Sequence, residues 1–230
     1  TVVNSHTDGT NYIEDNGPDA IIGMAQYMAR LPEASRPRTM MFMLSAGHFT
    51  GGRAIRKFIS DHQSDGLIGR IASVVTIEHL GAKEWEPDAN GVLQPTGKNE
   101  ASATFMPQIK ALADATVDMY AHANVGWGAA LKPMSPDNVG KDGKDPVWPG
   151  EGQYFYQAGK IPTANYITGP YYLLNWGVST VDKTDFDRMR KLMIAFTQMQ
   201  LNLSTVPKAL LAQEDPLVVS TGTRTQNKPR

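Results

Sequence analysis

Ile71-Ala72-Ser73-Val74-Val75-Thr76-Ile77-Glu78-His79-Leu80 is β-branched through its middle and ends in a polar pair, the pattern of a buried strand that stops at a charged sheet edge. Upstream, a helical segment runs from about Gly52 to His62. Before it, Thr39 to Ala46 (TMMFMLSA) is a continuous apolar run of strand length, which predicts a central strand covered on both faces and ending at Gly47-His48. Earlier still, Ile21, Ile22, Met24, Ala25, Met28 and Leu31 share one helical face, with Pro18 suited to the first turn. Thr1 to His6 reads as a strand that runs into the turn formers Thr7 to Asn11. Strand, helix, strand, helix, strand with short connections predicts an α/β fold, a three-layer α/β/α arrangement around a central, mostly parallel mixed sheet. The C-terminal ends of such strands lie along one edge, where ligands bind.

Downstream, residues 82–100 are polar and read as a loop, and Ala101 to Ala123 is mostly helical with a break at Pro107. Gly126 to Gly152, rich in proline and glycine around Trp127 and Trp148, predicts a long pocket-shaping loop. Ile161 to Thr168 is a further strand. Thr184 to Leu203 is a helix with Phe186, Met189, Leu192, Met193, Phe196, Met199 and Leu203 on one face and Asp185 and Asp187 at its positive end. The expected organisation is one domain over 1–215 and a polar tail over 216–230. The chain opens within a strand, which predicts a truncated or processed form lacking N-terminal strands, with an N-terminal fragment of the same precursor as a candidate partner.

The 230 residues carry 22 Lys and Arg against 23 Asp and Glu, interspersed, so no basic footprint points to nucleic acid or an acidic membrane surface. No stretch approaches the roughly 20 apolar residues of a membrane helix. The absence of cysteine excludes disulfides, thiolate metal sites and a cysteine nucleophile. It leaves the compartment open, with a secreted or periplasmic one favoured. Oligomeric state is not legible. The expected ligand is small, peptide-like or an amide.

Three strand ends carry His6 with Asp8, Gly47-His48 and Glu78-His79, and the first loop adds Glu14-Asp15-Asn16. Neighbouring strand ends lie about 5 Å apart, so these side chains can meet around one ion. Imidazole with carboxylate suits zinc or a similar divalent metal. His79 is expected to point to the opposite face from Glu78, because adjacent strand residues alternate.

Val3-Asn4-Ser5-His6-Thr7-Asp8, with Glu14-Asp15-Asn16-Gly17 opening a helix, resembles the His-x-Asp strand and Asp-Asp-Asn-Gly loop of the zinc aminopeptidases, a family of zinc-dependent exopeptidases. Phe42 to Gly51, Thr76 to Gly81 and Gln153 to Tyr166 are similar to later segments of that family, so the resemblance covers roughly residues 1 to 200. It implies that His6, Asp15 and Glu78 bind one metal and that Asp8 orients His6. The sequence departs from the family where a Glu-Glu pair is replaced by His48-Phe49. It departs again where the final histidine gives way to Asn175, Trp176 or Val178. The resemblance therefore implies one zinc or other divalent ion per chain, with His48 as catalytic base and Glu14 in reserve. Phe49, Trp127, Trp148, Tyr172, Asn175 and Trp176 are expected around the pocket. The implied activity is hydrolysis of a peptide-like amide bond. The alternatives are an inactive relative that uses the cleft to bind a peptide or protein, and an acyl or cyclase-type transfer at one zinc.

Overall fold

β1 (Val2–His6) lies between two parallel neighbours, β2 (Met41–Ser45) and β3 (Val74–Ile77), and alternation along it serves both sides of the sheet. Val3, Val75 and Ile77 enter one apolar core, while Val2 and Val74 enter the other. The computed structural model describes residues 1–133, 147–175 and 178–214. The expected tail over 216–230 and residues 134–146 of the expected loop over 126–152 lie outside the described residues.

The first core is closed by α1 (Gly17–Arg30), α4 (Lys110–Ala123) and α6 (Phe186–Thr205). The second is closed by α2 (Arg53–Asp61), the short α3 (Leu67–Arg70) and α5 (Gln153–Gly159). A last turn, α7 (Lys208–Leu211), adds Leu211 to the first core. Asp185 caps α6, its carboxylate accepting from the Arg188 N–H at 2.9 Å.

The sheet has the order β2-β1-β3-β8-β6-β7, where β6 is Ser102–Phe105, β7 is Gly128–Leu131 and β8 is Thr163–Thr168. β8 runs parallel to β3, β6 runs antiparallel to β8, and β7 runs parallel to β6. This is the expected three-layer α/β/α fold with a mostly parallel mixed sheet.

Four local expectations are corrected. β2 is an edge strand rather than a central one, and Leu44 on it is exposed. Its run of methionine and phenylalanine mimics a strand buried on both faces, a case where apolarity reports side-chain type and not burial. Residues 82–100 form a hairpin, β4 (Lys83–Pro87) with β5 (Leu93–Asn99), whose polar side chains follow from its solvent exposure. Ala101 to Ala123 divides into β6 and α4 on either side of Pro107, and β7 occupies part of the region expected to be loop. No helix among the described residues is long and apolar enough to cross a membrane.

Candidate metal centre

His6, the last residue of β1, is fully buried where the strand leaves the sheet. Its Nδ1 faces Asp8 Oδ1 at 3.5 Å. The other Asp8 oxygen accepts from the N–H groups of Gly47 at 2.9 Å and His48 at 3.1 Å, which ties the end of β2 to the same loop. His6 Nε2 therefore points the other way, to Glu14 Oε1 at 3.8 Å and Glu78 Oε2 at 3.7 Å.

Glu14 reaches this point because its loop is pinned at both ends. Asn16 forgoes capping α1 and instead clamps Leu80, donating to its carbonyl at 2.7 Å and accepting from its N–H at 2.8 Å. On the other side the Thr180 hydroxyl accepts from the Ile13 N–H at 2.7 Å and donates to Asn11 Oδ1 at 2.9 Å. Asn11 also donates to the Leu173 carbonyl at 2.6 Å, so the turn over 171–175 braces the loop from above.

Glu78 is held by one oxygen only. Its Oε1 accepts from the Glu151 N–H at 2.8 Å and from Asn165 Nδ2 at 3.1 Å. Asn165, on β8, is fixed in turn by Trp148 Nε1 at 3.1 Å and the Gly152 N–H at 2.8 Å. With Oε1 saturated, Oε2 is left for His6. The Glu151 carboxyl beneath takes a hydrogen bond from Ser45 Oγ at 3.0 Å. Burial first, and then the charge of Glu78, push its pKa up to about 9, so it is a neutral acid near pH 7.

His79 corrects the expectation of alternation. It sits just past β3 with φ 57°, a left-handed conformation that turns its ring back toward the site instead of to the opposite face. Its Nδ1 lies 2.8 Å from the Thr168 carbonyl, and its Nε2 lies 3.5 Å from Glu14 Oε2. Burial works against its protonation, yet the nearby carboxylates of Glu14 and Glu78 raise its pKa above the ordinary value. His48 stacks on His6 with ring centroids 4.5 Å apart, and burial lowers its pKa.

The result is a set of buried nitrogens and oxygens without hydrogen-bond partners: His6 Nε2, Glu14 Oε2, Glu78 Oε2 and His79 Nε2. Buried carboxylates and imidazoles in that condition are costly unless a charge offsets them. Donors about 2.0–2.1 Å from a tetrahedral zinc stand roughly 3.3 Å apart, close to the separations here. Two groups among the described residues could converge on an ion, His6 with Glu14 and His79, and His6 with His48 and Glu78. The donor set fits zinc or a similar divalent cation.

Of the residues anticipated from sequence, His6, Glu14, His48 and Glu78 meet, with Asp8 beside them. Asp15 belongs to neither converging group, and burial pushes its carboxyl pKa up. Phe49 is 46% exposed, its ring 5.0 Å from that of His48. Tyr172 is buried and donates to the Lys83 carbonyl, whereas Asn175 is exposed at the end of the bracing turn. Trp148 lies fully buried behind Asn165 rather than at a surface. Trp127 is exposed at the head of β7, four strand positions from β1 and so about 19 Å away by strand spacing. Trp176 lies outside the described residues. His79, Asn165 and Glu151 were not anticipated. For His79 the available signal was that the apolar run stops at Ile77, so period-2 alternation had no claim on the residues after it.

Solved structures sharing this architecture include two of LapA from Legionella pneumophila, one of them described as an aminopeptidase. They are 14% and 12% identical, with TM-scores of 0.58 and 0.60, and cover 89% and 90% of this chain and 53% and 51% of their own. An aminopeptidase from Aneurinibacillus sp. strain AM-1 is 13% identical with a TM-score of 0.55, over 95% of this chain and 44% of its own. The chain has an aminopeptidase-like fold. It spans about half the length of these solved relatives. No protein-family model matches the sequence, and no curated protein matches it.

Proposed function

We propose that the chain is a metal-dependent hydrolase of peptide-like amide bonds that uses one divalent ion, zinc or a close equivalent, held at His6. The observation that carries this reading is the convergence of unpartnered, fully buried His and Glu donor atoms at the ligand-binding edge of an aminopeptidase-like fold. A bound ion of this kind supplies an acidified water and polarises a carbonyl. Asp8 and Asn165 orient His6 and Glu78, and the neutral Glu151 adds no further negative charge to the pocket. His48, partly buried and with burial favouring its neutral form, is the group available to take a proton at the mouth of the site. Glu14, the other candidate base, is more use as a donor to the ion because both its oxygens face imidazoles. Phe49 beside His48 offers an apolar wall to a substrate side chain.

Elemental analysis should find about one zinc per chain, lost in His6→Ala. Turnover of a panel of aminoacyl and acyl amides should then fall in His48→Ala, and unchanged turnover removes His48 from the mechanism. A second reading, an inactive relative that binds a peptide in the cleft, draws on the Phe49 ring, which stands 6.2 Å from the His6 ring where the related family carries a carboxylate. Peptide binding by a metal-free wild-type protein without turnover would favour it.

A further inference from the structure

Two groups compete for the ion around His6, and the structure distinguishes them. Resting on the metal-dependent reading above, we infer that the ion is held by His6, Glu14 and His79, that Glu78 faces His6 Nε2 from beside this set, and that His48 stays outside it.

Three observations separate His79 from His48. A metal-binding histidine nearly always donates its second ring N–H to a carbonyl or carboxylate, which fixes the tautomer and aims the free nitrogen. His79 meets this condition, with Nδ1 on the Thr168 carbonyl at 2.8 Å, whereas His6 Nδ1 makes no hydrogen bond but has the Asp8 carboxylate 3.5 Å away. His48 Nδ1 is buried without any partner. The second observation is burial: His6, Glu14 and His79 are all buried, whereas His48 is only partly buried, in a short 3-10 turn. The third is backbone conformation. His79 is one of three residues other than glycine with positive φ among the described residues, a strained state that persists where its surroundings over-determine it. That state places Glu78 and His79, adjacent in sequence, on one site.

Glu14 links the two imidazoles, with one oxygen 3.8 Å from His6 Nε2 and the other 3.5 Å from His79 Nε2. Two histidines and a glutamate form a set used by catalytic zinc in unrelated proteases and leave room for water. The carboxylate expected from the family resemblance, Asp15, is replaced in this assignment by its neighbour Glu14.

The test uses the full chain, stripped with a chelator and titrated with Zn²⁺ against a chromophoric competitor, with the Co²⁺ absorption spectrum as a second readout. His79→Asn is the informative variant, because asparagine tolerates left-handed backbone. Glu14→Gln is its isosteric companion, and circular dichroism establishes that both fold. Each should weaken Zn²⁺ by at least about 100-fold and alter the Co²⁺ spectrum, while His48→Ala stays within about tenfold of wild type, the lower range for changes outside the ligand shell. Wild-type affinity in folded His79→Asn and Glu14→Gln, or loss in His48→Ala in their place, overturns the assignment while leaving metal dependence intact. A wild-type chain that takes up neither ion overturns both and leaves His79 and Glu14 as a buried ion pair. A chain with the expected metal profile and no amide hydrolysis upholds the ligand set and rejects only the hydrolase reading.

Discussion

β2 and β3 leave the same edge of the sheet and each delivers a histidine to the site, yet the two exits are built differently. The exit of β3 is locked: Asn16 clamps Leu80, Asn165 and the Glu151 N–H hold Glu78, and the Thr168 carbonyl holds His79. The exit of β2 is loose: Gly47 and His48 are tied down through backbone N–H groups to Asp8, and the His48 ring is steadied by contacts with the rings of His6, Phe49 and Tyr154, its Nδ1 making no hydrogen bond. A side chain fixed by a second hydrogen bond is suited to hold an ion, and one free to rotate is suited to carry a proton. The contrast therefore assigns different work to two similar strand ends.

The largest expected effect is at Gly150, on the locked side. Its φ of +101° is unfavourable for any side chain, and a Cβ there would lie 2.6 Å from Asn165 Oδ1 and 2.9 Å from Glu78 Oε1. Gly150→Ala should cost about 4 kcal/mol, combining strain with overpacking. Chemical unfolding of the metal-free protein measures it, and a loss below about 1 kcal/mol would show that the locked exit yields easily.

Asn165→Leu comes next. It leaves Trp148 Nε1 and the Gly152 N–H without an acceptor and removes one of two donors to Glu78 Oε1. Unpartnered buried donors cost about 1–3 kcal/mol each, so about 3 kcal/mol is expected. Zn²⁺ affinity should fall as Glu78 is freed to rotate. Asn165→Asp keeps the acceptor for Trp148 and Gly152 but sets a carboxylate against Glu78 Oε1. Its Zn²⁺ affinity should therefore differ from that of the leucine variant, which a purely structural role would not produce.

Asn16→Ala removes the reciprocal pair to Leu80 and should cost about 2 kcal/mol. Because that pair joins the Glu14 loop to β3, hydrogen exchange should quicken at Leu80 and leave β2 unchanged. Gly51→Ala probes the loose side with the same backbone problem as Gly150 but open space around it: φ is +81°, and beyond its chain neighbours a methyl group there would meet no atom within 4 Å. Left-handed strain alone predicts about 1–2 kcal/mol. If Gly51→Ala proved as costly as Gly150→Ala, the two exits would not differ in rigidity.

The contrast between exits also separates what the sequence discloses from what it hides. β1, β3 and β8 are legible as short runs of strand length buried on both faces, and α1 and α6 because each buries one face and so carries a period of 3.6 in its apolar residues. The β4–β5 hairpin has little apolar face to write such a period, and β6 is four residues long beside a helix that dominates the local pattern. At the site, His6, Glu14, His48 and Glu78 are legible as chemistry at strand ends. His79 is hidden because its placement depends on one left-handed backbone angle, which no local composition encodes. Asn165 is hidden because its role arises from contacts with Trp148, Gly152 and Glu78, remote in sequence and joined only by the fold.

Phe49 gives the smallest expected effect on stability and bears most directly on the loose exit. Its side chain is 46% exposed and touches the rings of His48 and His6 from outside, so Phe49→Ala should change unfolding free energy by no more than about 0.5 kcal/mol. Zn²⁺ binding should also be unchanged, because Phe49 offers no donor atom and belongs to neither converging group. The informative readout is substrate. If Phe49 is a wall for the substrate side chain, the variant raises KM for amides with large apolar groups and leaves small ones unaffected, the mark of lost uniform binding. If instead Phe49 is a contact for a peptide in the cleft of an inactive relative, its removal leaves turnover at zero and loosens peptide binding. Those two outcomes decide whether the exposed end of β2 serves a reaction or only a contact.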